Sequence, residues 1–293
     1  MVGAAEGARR TVTRYLVTGG AGMLAADLAQ ALEGRDVTVA ARSELDITDP
    51  AAVDAAVVDY DVVINAAAYT KVDDAESHED EAEAINGTGP ANLARAAAAT
   101  GATLIQVSTD YVFDGSATEP YAELAPVNPV SAYGRTKASG ERQAMALNPG
   151  RTMIVRTAWL YGAGGGNFAK TMLKLASDRD TLTVVDDQLG QPTWSADLAA
   201  QIVALADSGT TSGIFHGTNS GETTWFGFAR EIFAQAGLDP ERVSSTTSAQ
   251  FVRPAPRPSY SVLAHGSWSD AGLSPMRPWQ EALADAFRTG ALA

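Results

Sequence analysis

The chain has 293 residues, 45% of them hydrophobic and 19% charged, a composition that excludes a disordered or fibrous protein. At roughly 150 residues per domain, it holds one large core or two modest ones. Its 35 acids against 21 Lys and Arg give a net charge of −14, which argues against a nucleic-acid polymer as partner and leaves room for a locally positive pocket.

Cysteine is absent and the histidines, His78, His216 and His265, are far apart, so disulfides, thiolate zinc and a cysteine nucleophile are excluded. Residues 1–13 carry Arg9 and Arg10 with no apolar stretch behind them, and no run of about 18 apolar residues follows, so neither a secretory signal nor a membrane span is expected. The expectation is a cytoplasmic protein with a flexible N-terminus over residues 1–13.

Tyr15–Thr18 reads as a short buried strand, broken by Gly19–Gly22. Leu24, Leu28, Ala31 and Leu32 then recur at helical spacing, and a second strand follows at Val37–Ala41. Further apolar runs at Val62–Asn65, Thr103–Ser108 and Met153–Arg156 alternate with helical stretches such as Ala91–Ala99. Strands separated by helices predict an α/β fold, a Rossmann-like doubly wound parallel sheet.

The acidic stretch Asp73–Glu83 has seven carboxylates and no Lys or Arg, and reads as the solvated face of a helix rather than a metal site. The pattern changes after Gly162–Gly166, a flexible breaker. A helix at Phe168–Ala176, a strand at Leu182–Val185, a helix at Ser195–Ala206 capped by Ser195 and a strand at Ile214–His216 follow. Trp225, Phe228, Ala229, Ile232, Phe233 and Ala236 form one helical stripe, read as plain core. Arg253–Pro258 is too proline-rich for helix or inner strand. These signals predict a nucleotide-binding domain over residues 14–165 with a returning segment near 194–217. A smaller C-terminal substrate-binding lobe takes residues 166–193 and 218–293.

Gly20-Ala21-Gly22-Met23-Leu24-Ala25 fits the G-x-G-x-x-[G/A] template between a strand and a helix, where bare backbone and helix N–H groups receive a pyrophosphate. Gly19, Gly22, Met23 and Leu24 are its candidate contacts. The second strand runs out at Arg42-Ser43, and an arginine there suits the extra phosphate of NADP, so NADPH is favoured and NADH stays open. Asp46 and Ile47 are placed to bracket the adenine.

Tyr133 and Lys137 are four residues apart, on one face if helical. A lysine cation lowers a phenol's pKa, making the pair an acid for carbonyl reduction and a base for its reverse. Thr109 follows the fourth strand, where such folds bind ligands, and its hydroxyl suits a developing oxyanion. Thr109, Tyr133 and Lys137 are the candidate catalytic residues.

Taken together, Thr18–Gly22, Asn65–Ala68, Ser108–Asp110 and Tyr133-x-x-x-Lys137 resemble the extended short-chain dehydrogenase/reductases, and within them the dTDP-4-dehydrorhamnose reductase family. The more specific marks are Asn65–Glu76, Ser108–Gly115, Arg156–Tyr161, Asn167–Met172, Asp187–Thr193 and Arg257-Pro-x-x-Ser261, so the likeness runs from about residue 14 to 288. It implies NAD(P)H-dependent reduction at C4 of dTDP-4-dehydro-L-rhamnose, with a proton from Tyr133. Ala66, Ala67, Ala68, Tyr69 and Thr70 would line the ribose and nicotinamide, with Tyr133 and Lys137 holding the ribose. The sugar would meet Thr109, Asp110, Tyr111, Val72 and Trp159, although Trp159 read without the likeness is a core tryptophan. Arg257 is a candidate for the substrate diphosphate, with a structural ion pair as the other reading.

Ala25 and Tyr69 depart from the family pattern, which usually has glycine and often histidine there. Some members pair through magnesium at a subunit interface. No motif carries those ligands over, so Mg2+ stays open, as does the choice of monomer or homodimer. Two other readings survive: a 4-ketoreductase for a different dTDP-deoxysugar, and a non-catalytic regulatory subunit of the same fold.

Overall fold

The computed structural model describes residues 12–292, so the segment 1–13, apart from its last two residues, lies outside them. Strand β1 (Arg14–Thr18) leads through the glycine turn into α1 (Met23–Ala31) and then β2 (Asp36–Ala40), one residue earlier than the pattern predicts. Helix α2 (Pro50–Val57) starts where the Asp49 carboxylate accepts the Ala51 and Ala52 N–H groups and proline fixes the first turn. Next come β3 (Val62–Asn65), α3 (Glu79–Glu83), α4 (Gly89–Thr100), β4 (Thr103–Thr109), α5 (Ala132–Leu147) and β5 (Thr152–Thr157).

The second half contributes β6 (Leu160–Tyr161), α6 (Phe168–Asp178), β7 (Leu182–Val185), β8 (Leu189–Gly190), β9 (Thr193–Trp194), α7 (Ser195–Asp207) and β10 (Gly213–His216). It ends with β11 (Thr223–Thr224), α8 (Trp225–Gln235), β12 (Val243–Thr246), α9 (Ser267–Asp270) and α10 (Trp279–Arg288). Ser195 does not cap α7. It is the first helical residue, and Trp194 holds the cap position without a side-chain bond, because pairing of β9 with β6 keeps Trp194 extended up to the helix start.

Six parallel strands form the central sheet in the order β10-β5-β4-β3-β1-β2. Successive side chains leave a strand on opposite faces, so a doubly covered sheet needs uninterrupted apolar runs. Val17, Ile64 and Ile105 pack with Leu24 and Leu28 of α1 and Leu198 and Ile202 of α7. Their neighbours Leu16, Val63 and Leu104 pack with Val53 of α2, Leu93 of α4 and Ala144 of α5. The expected doubly wound sheet is present.

A separate core joins Met172 of α6, Val184 of β7, Phe228, Ile232 and Phe233 of α8, and Leu283 of α10. Trp268 of α9 and Met276 return to the sheet's own core, so the chain crosses between the two bodies repeatedly.

The acidic stretch 73–83 is not one helix, and only part of it is a solvated face. It is a 3-10 turn at Asp74–Glu76, then α3, then a π-helical turn at Ala84–Thr88. Most of its acids have partners. Glu76 accepts the Ala132 N–H at 2.8 Å, Glu79 takes the Arg135 guanidinium at 2.8 and 2.7 Å, and Glu83 accepts the Ser139 hydroxyl at 2.7 Å. Glu76, Glu79 and Glu83 recur at helical spacing and face a matching row on α5, the helix carrying Tyr133 and Lys137. Asp80 and Glu81 are exposed.

Candidate active site

A cavity of about 860 Å3 opens at the carboxyl ends of β1, β3, β4 and β5, where such sheets bind ligands. At one end its wall is backbone. Gly19 has φ +78°, and a Cβ there would lie 2.7 Å from the Ala67 nitrogen. Helix α1 starts at Gly22 with no side-chain cap, so the first N–H groups of the helix are left for an anion. Gly19, Gly22, Met23, Leu24, Ala66, Ala67, Ala68 and Thr70 all line this end, with Arg42, Asp46 and Ile47 beyond the second strand. Arg42 is largely exposed and sits 3.4 Å from Asp46.

This cradle is held from below by polar side chains in register. The Thr18 hydroxyl donates to Asn65 at 2.5 Å, Asn65 donates to Gln106 at 2.7 Å, and Gln106 donates to the Val107 carbonyl at 2.8 Å. Asn65 also accepts the Ala67 N–H at 3.1 Å, fixing the small-residue loop. Tyr69 turns away. Its backbone exchanges hydrogen bonds with the Asn86 side chain, its hydroxyl donates to Asp74, and it is absent from the cavity wall.

Tyr133 and Lys137 lie on α5, which Ser131 caps by accepting the Gly134 N–H at 3.1 Å. Gly134 is required, since a Cβ there would meet the Tyr111 carbonyl oxygen at 2.2 Å. Lys137 is buried and donates to the Val107 carbonyl at 2.7 Å, joining the polar ladder. Burial lowers its pKa to about 8 while Glu141, one turn on, pulls it up. Burial pushes the Tyr133 phenol up to about 12, against a hydrogen bond with Thr109 and with the charge of Asp110 adding to the rise. The expected lowering by lysine is therefore not seen: burial of the phenol dominates.

Thr109 ends β4. Its hydroxyl donates to Asp110 at 2.9 Å and accepts the Tyr111 N–H at 3.2 Å. Burial raises the Asp110 carboxyl to about 6 despite hydrogen bonds with Ser261 and Thr109. The Tyr111 ring meets Tyr133 edge to face at 5.7 Å. Thr109, Asp110, Tyr111, Tyr133, Lys137, Val72 and Trp159 all line the cavity.

Arg257 is absent from this wall. Its guanidinium donates to Asp73 at 2.8 Å, and Arg253 approaches the same carboxylate at 3.5 Å.

Several wall residues escaped the sequence reading. Trp225, assigned to the core by its stripe, lines the cavity, as do Thr157 and Gly164–Gly166. The Gly162–Gly166 segment is no mere breaker, for a Cβ on Gly164 would come within 2.9 Å of the Met23 backbone at the head of α1. Thr157 is the register partner of Thr109 on the next strand, a relation visible only once the sheet is assembled. Arg156, 2% exposed, donates to Glu141 at 2.9 and 2.7 Å and ties β5 to α5, the helix that carries Tyr133 and Lys137. Among the described residues, no group of three or more His, Asp or Glu is placed to hold a metal ion, and no helix is long and apolar enough to cross a membrane.

Residues 13–291 match the family model described as RmlD substrate binding domain. A dTDP-4-dehydrorhamnose reductase of Streptomyces griseus is 52% identical, over 94% of this chain and 93% of that protein. A dTDP-4-keto-6-deoxy-D-glucose reductase of Streptomyces niveus is 48% identical, over 94% and 96%. Among solved structures, a dTDP-4-dehydrorhamnose reductase of Bacillus anthracis in complex with NADP superposes with a TM-score of 0.91 at 38% identity, covering 95% of this chain and 99% of that one.

Proposed function

The chain belongs to the RmlD substrate binding domain family, and we propose that it reduces the C4 keto group of dTDP-4-dehydro-L-rhamnose to dTDP-L-rhamnose with NADPH. The observation that carries this reading is the gathering of Thr109, Tyr133 and Lys137 on one cavity wall beside a bare-backbone cradle.

The residues at the cradle suit the cofactor. The glycine turn and uncapped α1 would take the pyrophosphate, Arg42 the extra phosphate, and Asp46 and Ile47 the adenine. Ala66, Ala67, Ala68 and Thr70 would lie along the ribose and nicotinamide, and Lys137 would hold the ribose. When bound, NADPH supplies the hydride that reduces C4.

Tyr133 supplies the proton. With its pKa near 12 the phenol is protonated throughout the neutral range, the state a reduction needs at its start. As negative charge grows on the ketone oxygen, that acid is matched to a strong base, and the Thr109 hydroxyl, turned from Asp110 to the substrate, would add a second hydrogen bond. Lys137 offers a nearby cation while the phenolate exists. Asp110, ionised above about pH 6, is left to accept from sugar hydroxyls, with Val72, Tyr111 and Trp159 completing the sugar's surroundings.

Arg257 is retained as the candidate for the diphosphate on one ground: two guanidiniums share Asp73, so the cluster keeps a net positive charge. We assign residues 14–165 with 194–217 to the nucleotide-binding domain, which would also supply Val72, Thr109, Asp110, Tyr111 and Trp159 to the sugar, and residues 166–193 and 218–293 to the substrate-binding lobe, which closes the cavity with Trp225. The enzyme works in the cytoplasm as a monomer or homodimer.

The test couples the protein to a dTDP-glucose dehydratase and epimerase, follows NADPH oxidation and identifies the sugar formed. Tyr133→Phe is expected to lower kcat about 1000-fold with NADPH binding retained; undiminished turnover would remove Tyr133 from this role. A second reading, a 4-ketoreductase for another dTDP-deoxysugar, is favoured by the 48% identity to the Streptomyces niveus enzyme. It predicts oxidation of NADPH without the epimerase, and a product other than dTDP-L-rhamnose.

A further inference from the structure

Trp159 has φ +45°, the only positive φ outside glycine among the described residues. A bulky side chain rarely holds that backbone unless its surroundings impose it, and such outliers gather where function needs them. The surroundings can be named. The Trp159 ring stacks on Trp225, with centroids 3.7 Å apart and planes 13° from parallel. It also lies on the bare backbone of Gly190, where a Cβ would be 2.6 Å from the indole. The Trp159 carbonyl accepts the Thr193 N–H at 3.2 Å.

Trp225 is itself fixed. It opens α8, whose cap residue Thr224 accepts the Gly227 N–H at 3.1 Å and donates to Asp186 at 2.5 Å. The Phe168 ring sits 4.5 Å away. Both indoles line the cavity, Trp159 two residues beyond the register partner of Thr109 and Trp225 from the lobe.

We propose that Trp225 is a positioning residue for the sugar: by stacking on Trp159 it holds that indole in its strained place and so sets the apolar wall against which a 6-deoxysugar rests. A hexose lacking the C6 hydroxyl presents a methyl and ring C–H groups, which gain from an aromatic wall and lose nothing by leaving water. This inference rests on the reading of Trp159 as a sugar contact.

The test compares Trp225→Ala, Trp225→Phe and Trp159→Ala with the unmodified enzyme, measuring kcat and KM for the keto-sugar and separately the Kd of NADPH and of dTDP. Trp225→Ala should raise KM roughly tenfold, with kcat and both Kd values unchanged, and Trp225→Phe should restore most of the loss. An unchanged KM in Trp225→Ala overturns the proposal. So does equal weakening of NADPH and dTDP, which marks general distortion. If Trp159→Ala leaves KM unchanged, the reading of Trp159 fails and takes the inference with it. If Trp159→Ala raises KM and Trp225→Ala does not, the inference alone fails. Should the alanine variant not fold, Trp225→Leu, which keeps apolar volume without a ring face, is read by the same titrations.

Discussion

At the end proposed for the cofactor, the wall around the glycine turn is backbone and methyl groups, Gly19, Gly22 and Ala66–Ala68, drawn from the first β-α-β units of the sheet. At the sugar end the wall consists of large or charged side chains, Asp110, Tyr111, Trp159 and Trp225, drawn from segments far apart in sequence. On the proposed reading, the first end would work by keeping atoms out of the way of a large ligand and aiming N–H groups at its phosphates. The second must distinguish one sugar from its neighbours, which takes side chains that touch it. The two ends should therefore fail in opposite ways: the cofactor end when atoms are added, the sugar end when atoms are removed.

Adding one methyl group is the severest test. Gly19→Ala must place a Cβ 2.7 Å from the Ala67 backbone at φ +78°. The left-handed strain and the overlap together should weaken NADPH binding by at least roughly 30-fold. Gly34 is the matched control, with φ +80° and nothing within 4 Å of its virtual Cβ. Gly34→Ala carries the same strain without the overlap and should leave the NADPH Kd unchanged. Equal Kd values in both variants would break the contrast, because the tight approach of Gly19 would then be irrelevant to the cofactor.

At the sugar end, charge state is the lever. Asp110 ionises near pH 6 and Lys137 loses its proton near pH 8, while Tyr133 stays protonated up to about 12. As pH rises through 6 the sugar gains an acceptor; as it rises through 8 the site loses a cation. The kcat/KM for reduction should therefore climb through the first value and fall through the second, by about tenfold per pH unit beyond each limb. Asp110→Asn should abolish the lower limb and keep the upper one. A falling limb that starts only above about pH 10 would mean the lysine stays charged and the phenol alone sets the profile.

The contrast also explains what the sequence could tell. The cofactor end was legible because a local pattern fixes it: Gly20–Ala25 sits between a strand and a helix, and Arg42 follows the next strand. The doubly wound sheet was legible for a similar reason, since apolar runs such as Val62–Asn65 and Thr103–Ser108 need two covered faces. Trp225 was not, because a residue opening a buried helical stripe looks like core until the neighbouring indole is placed against it. Nor were the partners of Glu76, Glu79 and Glu83. Their helical spacing was present, but its meaning depended on Arg135 and Ser139 on a helix more than fifty residues away. The lowered phenol pKa was expected from Tyr133 and Lys137 alone. What overrode it was burial of the phenol in the assembled site, which the spacing of two residues does not show.

Arg257 gives the smallest effect and the finest discrimination between the two ends. If it serves the diphosphate, Arg257→Gln should raise KM for the nucleotide-sugar about three- to fivefold at low salt and leave kcat unchanged, as expected for one partly exposed charge contact. Asp73→Asn should act in the opposite direction, because it frees Arg253 and Arg257 from a shared carboxylate and lets both face the phosphates, tightening dTDP by a similar factor. A purely structural ion pair predicts something else: both substitutions would loosen the Ala255–Arg257 strap, whose Ala255 N–H also donates to Asp73 at 3.2 Å, and both would weaken binding. Opposite signs in the dTDP titrations keep Arg257 at the sugar end, and matching losses assign it to the architecture alone.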